Sequence, residues 1–125
     1  MILGIDISTS RIGYSIIDYT TKLILCQEIK LKSSDTLEDR CKIFENKMKE
    51  IGGKYDIREI FVEQPFMAFS GGKTTAVTMA KLQRFNGMCC YAIFNIFGTC
   101  ASLLQANKAR GLVRLKIKRG EKTKL

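Results

Sequence analysis

Two carboxylates, Asp6 and Glu63, stand out because each lies at or near the end of an apolar segment. Asp6 is embedded in Ile2–Ile7, and Glu63 ends the run Ile57–Glu63. One such acid alone is typical of a loop cap or of an ion pair with Arg or Lys, because an unpaired carboxylate there is costly or takes up a proton. Two adjacent acids repel each other unless a cation lies between them. Oxygen ligands suit Mg²⁺ or Mn²⁺, and such a site beside a basic surface is typical of metal-assisted phosphodiester hydrolysis.

The absence of histidine limits the kinds of catalysis and of metal site that this sequence can support. None of the 125 residues is histidine, which excludes Ser-His-Asp and Cys-His catalysis and histidine-ligated zinc. Acid–base work then falls to carboxylates, lysines, tyrosines or metal-bound water. The five cysteines form no CxxC pair and are odd in number, which argues against a disulfide framework and predicts a reduced, cytoplasmic protein.

The positive charge is concentrated near the end of the sequence. The formal net charge is +9, and the segment Lys108–Leu125 carries eight basic residues and only one acidic residue. The first 107 residues carry 13 basic and 11 acidic side chains and are nearly neutral. One interpretation is a solvated tail; the other is a contact surface for nucleic acid.

These residues must be positioned by a small set of strands. Apolar and β-branched runs bounded by turn residues predict five strands. The predicted strands are Ile2–Ile7, Arg11–Asp18, Lys22–Lys32, Ile57–Glu63 and Thr99–Leu104.

Three helices are expected between and after the strands. The first follows the capping residues at 33–36, has one apolar stripe from Leu37 to Ile51, and is expected to end at Gly52-Gly53. The second is a long helix over Thr74–Phe97, stopped by Gly98, and the third is a short basic helix over Ala106–Leu115. The order β-β-β-α-β-α-β-α predicts a single α/β domain over residues 1–125 with a mixed five-stranded sheet, in which the first and fourth strands can be neighbours.

The second half of the long helix is unusually apolar. From Met88 to Phe97 only Asn95 is strongly polar. A helix that is apolar nearly all round must be covered on more than one side, which predicts a partner subunit in addition to the sheet. No apolar run is long enough to cross a bilayer, so no membrane-spanning helix is expected.

Two motifs resemble those of the RuvC-type Holliday junction resolvases. The opening Ile2-Leu3-Gly4-Ile5-Asp6, with Ser8-Thr9-Ser10 and Gly13-Tyr14, is similar to that family's first hairpin. The segment 62–68, Val-Glu-Gln-Pro-Phe-Met-Ala, is similar to its second motif. The long helix and the basic segment after it lie in similar places, so the resemblance covers essentially the whole chain.

The resemblance implies a ribonuclease H-like fold and a homodimer formed through the helix Thr74–Phe97. It also implies a cytoplasmic bacterial or phage protein that cleaves four-way DNA junctions with Mg²⁺ or Mn²⁺. Asp6 and Glu63 would be the first two metal-binding carboxylates, and Lys122 is similar in position to a functional lysine of the family. The loop after Glu63 leaves two alternatives for Phe66 and Phe69: either they fold back into the core, or one of them stacks on unpaired bases at a junction. The residues expected to contact DNA are Phe66, Phe69, Lys73, Lys108, Arg110, Arg114, Lys116, Lys118, Arg119 and Lys122.

One departure from the family pattern bears on activity. The family places two further acids on a later helix, whereas the only acid after Glu63 here is Glu121. The sequence therefore predicts weak metal binding and little or no nuclease activity for these 125 residues. Two explanations stay open: a fragment of a longer resolvase, or a natural short form that binds DNA and cuts poorly. A non-catalytic DNA-binding module of the same fold is the alternative function.

Overall fold

A computed structural model describes residues 1–65 and 75–105 of the chain. Five strands form one sheet, and two helices connect its parallel strands. In chain order the elements are β1 Ile2–Ile7, β2 Arg11–Ile17, β3 Leu23–Lys30, α1 Leu37–Lys54, β4 Glu59–Glu63, α2 Ala76–Phe97 and β5 Ser102–Leu104.

The sheet order is β3-β2-β1-β4-β5. The first three strands form an antiparallel meander, while β4 pairs in parallel with β1 and β5 pairs in parallel with β4. The predicted order of these elements and the mixed α/β sheet are confirmed. Strands β4 and β5 begin later than predicted; before β4, the Ile57 amide donates to the Tyr55 carbonyl in a local turn. The predicted helix Ala106–Leu115 lies outside the described residues.

One face of the sheet carries the hydrophobic core. Alternate residues of β1, β2 and β4 are buried while their neighbours are not, as period-two side-chain alternation requires. Helices α1 and α2 pack against each other and supply the second layer, with Phe44, Met48, Phe85 and Ile93 fully buried. On the other face, the centre of the described sheet carries the small residues Gly4, Gly13 and Ser15, with the partly exposed Ile2, Ile17 and Phe61 beside them.

Helix α1 does not end at the glycine pair, contrary to the sequence prediction. The helix begins at the Thr36 cap, whose hydroxyl accepts from the Asp39 amide at 3.1 Å, and continues through Gly52 and Gly53 to Lys54. It ends because Tyr55 adopts an extended conformation while its amide still donates to the Ile51 carbonyl. Gly98, by contrast, ends α2 as predicted, and the structure shows it as a left-handed cap with φ +70.

The two glycines should therefore respond in opposite ways to alanine. Gly53→Ala should raise the free energy of unfolding by about 0.5–1 kcal/mol, because Gly is a poor helix residue and a Cβ there meets nothing within 4 Å. Gly98→Ala should lower it by roughly 1–2 kcal/mol, because the left-handed conformation is strained with a Cβ. Urea denaturation checks both predictions. A loss of stability in the Gly53 variant would contradict the helical conformation of Gly53 and support a helix that ends at Gly52-Gly53.

Candidate metal centre

The parallel register places Asp6 and Glu63 on neighbouring strands of the same face. Ile2 lies beside Glu59, and Ile5 lies beside Val62, so Asp6 follows in register with Glu63. Both acids alternate with buried residues and therefore lie on the face opposite the core. Adjacent strands are about 4.8 Å apart, so the two carboxylates that the sequence singled out are brought together.

The two carboxylates differ in their surroundings. Asp6 is exposed and Glu63 is half-buried, and Glu63 interacts with another group in the protein. Within residues 1–65 and 75–105, the Asp6 carboxylate has no hydrogen bond or ion pair. Across from Asp6 on β2 lies Gly13, where an added Cβ would meet nothing within 4 Å. Asp6 is thus accessible from the β2 side.

The turn after Asp6 is held by its own hydroxyl groups. The Ser8 hydroxyl donates to the Arg11 carbonyl at 2.6 Å and accepts from the Arg11 amide at 3.0 Å. The Ser10 carbonyl accepts from the Leu31 amide at 2.9 Å, which ties the turn to the end of β3. A small-polar run between two strands therefore closes the hairpin that carries Asp6.

A buried arginine fixes the same turn from the helical side. Arg40 of α1 is only 3% exposed, and its guanidinium donates to the carbonyls of Thr9 at 2.9 Å, Asp35 at 3.0 Å and Ser33 at 2.7 Å. These three bonds join the β1–β2 turn to the loop before α1. The planar fork of donors in Arg matches three fixed carbonyls better than a lysine ammonium can.

Sequence reasoning missed Arg40, although a signal was present. Arg40 lies within the apolar stripe of α1, three residues after Leu37 and four before Phe44. A charged residue at a core-facing helical position requires buried partners. That pattern could have identified it as a structural arginine, but only the fold shows that the turn after Asp6 is its partner.

The donor set at Asp6 and Glu63 fits a hard divalent cation. Both are carboxylates on the open face of the sheet, and oxygen ligands are those that Mg²⁺ and Mn²⁺ take. In the described part of the chain, no group of three or more Asp, Glu or Cys side chains is arranged to hold a metal. From the described residues, the pair would supply two protein ligands, and further oxygen ligands would have to complete the shell.

Several predicted site residues lie outside the described residues. These are Phe66, Phe69, Lys73 and Lys122, together with Lys108, Arg110, Arg114, Lys116, Lys118 and Arg119.

The Cys89 and Cys90 thiols of α2 are packing groups. The hydrogen bond with Cys41 and burial raise the pKa of the Cys89 thiol, and burial raises the pKa of Cys90. Both thiols therefore stay protonated near neutral pH and pack as small apolar groups, because the thiolate is the reactive form.

A cavity of about 640 Å³ lies away from the acidic pair. It is lined by the last turns of both helices, including Lys49, Tyr55 and Phe97. Because α1 ends just before β4 begins, this cavity lies at the amino end of the parallel strands. Asp6 and Glu63 lie at the carboxyl end, where ligands bind in open α/β sheets.

The sheet order, the two crossover helices and the acidic pair define a ribonuclease H-like α/β fold. Among solved structures, RuvC from Thermus thermophilus has this fold. RuvC in complex with a Holliday junction substrate superposes with a TM-score of 0.73, at 14% identity, over 88% of this chain and 67% of that chain. A second RuvC structure from the same organism gives a TM-score of 0.62, at 15% identity, over 87% of this chain and 66% of that chain.

These comparisons show the fold. At such low identity they do not transfer site residues, and this chain spans about two-thirds of the length of the RuvC chains. No family model and no curated protein matches the sequence. No helix in the described part of the chain is long and apolar enough to cross a membrane.

Replacing Arg40 tests how far the turn after Asp6 depends on it. Arg40→Met should lower the free energy of unfolding by at least about 3 kcal/mol, because three buried carbonyls lose their donor at roughly 1–3 kcal/mol each. Arg40→Lys should recover part of that loss. Chemical denaturation measures both. Hydrogen exchange at the Arg11 and Leu31 amides should accelerate more than at amides of β4, and equal acceleration throughout would contradict a local role.

Proposed function

We propose that this protein is a structure-selective nuclease of the resolvase type that acts on four-way or branched DNA. The observation that carries the proposal is the meeting of Asp6 and Glu63 at the carboxyl ends of β1 and β4, on the open face of the sheet. Support comes from the fold shared with RuvC, one structure of which holds a Holliday junction substrate.

In this proposal Asp6 and Glu63 hold Mg²⁺ or Mn²⁺. When bound, such an ion supplies a Lewis acid for the phosphodiester and lowers the pKa of its water. The protein orients the pair through the β1–β4 register and keeps Asp6 open to substrate over Gly13. Without histidine, no side chain of this protein offers a neutral-pH imidazole base.

DNA affinity in this proposal comes mainly from the basic segment after β5. The segment 108–125 carries eight basic residues and one acidic residue, including Arg110, Lys116 and Lys122. Neutralised phosphates release counterions, which gives affinity without sequence readout. This suits a protein that selects a branched shape over a base sequence.

A non-catalytic junction-binding module is the second candidate. The observation that favours it is the small donor set, because the described residues supply two carboxylates and no third ligand beside them. Both candidates predict preference for a four-way junction over linear duplex in gel-shift titrations. Equal affinity for the two DNAs would overturn both, and nicking in Mg²⁺ separates them.

Asp6→Asn should reduce junction nicking to background and leave junction binding unchanged or tighter, because it removes a metal ligand and relieves repulsion of phosphate. Little nicking is expected even from the parent chain, so metal binding is measured as well. At a Mn²⁺ concentration one hundred times Kd, site binding adds about 2.7 kcal/mol of stability, and the variant should lose this gain in thermal unfolding.

The matched comparison uses two single variants, Glu63→Gln and Glu59→Gln. Both residues lie on β4 and on the same face, but Glu59 lies at the opposite end of the strand. Only the Glu63 variant should lose nicking and Mn²⁺ stabilisation. Undiminished Mn²⁺ stabilisation in Asp6→Asn or Glu63→Gln, or undiminished nicking by either variant where the parent nicks measurably, would refute the metal role. Junction binding without nicking by the parent would favour the module.

We also propose a homodimer formed through α2. Val77, Tyr91 and Phe94 are 77%, 67% and 47% exposed, and their spacings of fourteen and three residues place them on one side of the helix. Arg84 and Gly87 on the same side are also exposed. The exposed apolar side chains on this side, which lie among the polar Arg84 and Asn95, support the expectation that this helix needs a second cover.

Tyr91→Glu should weaken self-association by more than about tenfold in dissociation constant, since a charge replaces a buried aromatic in the proposed interface. Sedimentation equilibrium measures the effect. Tyr19→Glu is the matched control, because Tyr19 is 62% exposed and lies in the β2–β3 turn. A monomeric parent, or equal effects of the two changes, would contradict the interface.

A further inference from the structure

Two basic residues face each other across β2 and β3. Arg11 and Lys30 are register partners of the antiparallel pair, and both are exposed. They alternate with buried residues, since Ile12 follows Arg11 and Ile29 precedes Lys30. Both therefore lie on the open face of the sheet, the face that carries Asp6.

Placing these two charges side by side does not stabilise the folded chain. Like charges directly opposite on paired strands destabilise a sheet. The nearest compensation is Glu28, which approaches Arg11 at 3.9 Å while the two side chains are 47% and 66% exposed. An exposed ion pair at that separation contributes little. An anion bound between Arg11 and Lys30 would offset the repulsion.

The backbone beneath the pair is rigidly held. The Arg11 amide and carbonyl are both bonded to Ser8. The residue after Lys30 donates its amide to the Ser10 carbonyl at 2.9 Å. Two cations on a fixed backbone lose less entropy on binding than cations on a loose loop.

An open path joins this pair to the acidic centre. Gly13 lies between them, paired with Asp6 on one side and with Glu28 on the other. Apart from Gly13 and its two chain neighbours, no atom of residues 1–65 and 75–105 lies within 4 Å of the position that a Cβ of Gly13 would take. β3 is two strands from β1, about 10 Å, a span that a short stretch of one DNA strand can cross.

We propose that Arg11 and Lys30 form a phosphate-binding subsite for the DNA strand that enters the Asp6–Glu63 centre. The strand crosses the sheet above Gly13, with one or two of its phosphates at the basic pair. This inference rests on the proposed function and adds to it the direction in which the strand leaves the acidic centre.

The test compares two double variants of equal charge. Arg11→Gln/Lys30→Gln should weaken four-way junction binding and lower the slope of log K against log salt by about one to two, as expected for one or two lost phosphate contacts. Lys22→Gln/Lys42→Gln removes the same charge from the β2–β3 turn and α1, and should change the slope by less than half as much. Fluorescence anisotropy at several salt concentrations gives both values.

Two further measurements separate binding from folding. Urea denaturation should show the Arg11/Lys30 variant to be at least as stable as the parent, because like-charge repulsion is removed. Glu28→Gln should tighten junction binding, since it removes the one acid that competes for Arg11.

The outcomes distinguish this inference from the function it rests on. A parent chain with no junction binding would refute the proposed function. Junction binding by the parent with an unchanged slope in the Arg11/Lys30 variant would refute the subsite alone. Equal losses in both double variants, or weaker binding by Glu28→Gln, would also refute the subsite.

Discussion

Strands β1 and β4 pair in parallel at the centre of the sheet, and the placement of the functional groups follows from that pairing. A parallel neighbour requires a crossover connection, which is supplied by α1 between β3 and β4. Because the register runs from Ile2–Glu59 to Ile5–Val62, the carboxyl ends of β1 and β4 lie side by side. A shift of one residue would turn Glu63 toward the core. The buried residues Ile60 and Val62 hold the register and so hold the acidic pair.

The two faces of the sheet differ in their role: one packs in the hydrophobic core and the other carries the acidic pair. Leu3, Ile5 and Val62 are buried against the helical layer, which provides the apolar burial that stabilises the fold. The opposite face contributes little to that burial in the described part of the chain. It can therefore carry Asp6 and Gly13, residues that add little to a core. Helix α1 connects the layers, because Arg40 reaches from it to the Thr9 carbonyl.

Charge is divided along the chain as well as across the sheet. The formal charge of +9 comes largely from the segment after β5, and the first 107 residues are nearly neutral. In that nearly neutral part, Arg11 and Lys30 form a local basic pair beside the acidic centre. In the proposed function, the basic segment 108–125 attracts the polyanion, and Arg11 with Lys30 places one strand. Different residues can do these two tasks, since screening limits the reach of each surface charge to about 10 Å.

Residue patterns alone predicted the order of the elements, the two carboxylates that the fold brings together and the end of α2 at Gly98, because periodicity and residue type are properties of short segments. It misplaced the end of α1, because Gly52 and Gly53 accept helical as readily as left-handed backbone and only the extended Tyr55 stops the helix. The tertiary structure alone decided that Asp6 and Glu63 share a face, that Arg40 binds the turn after Asp6, and that Arg11 meets Lys30. Each of these depends on strand register or on contacts distant in sequence, which the pattern of one segment does not contain.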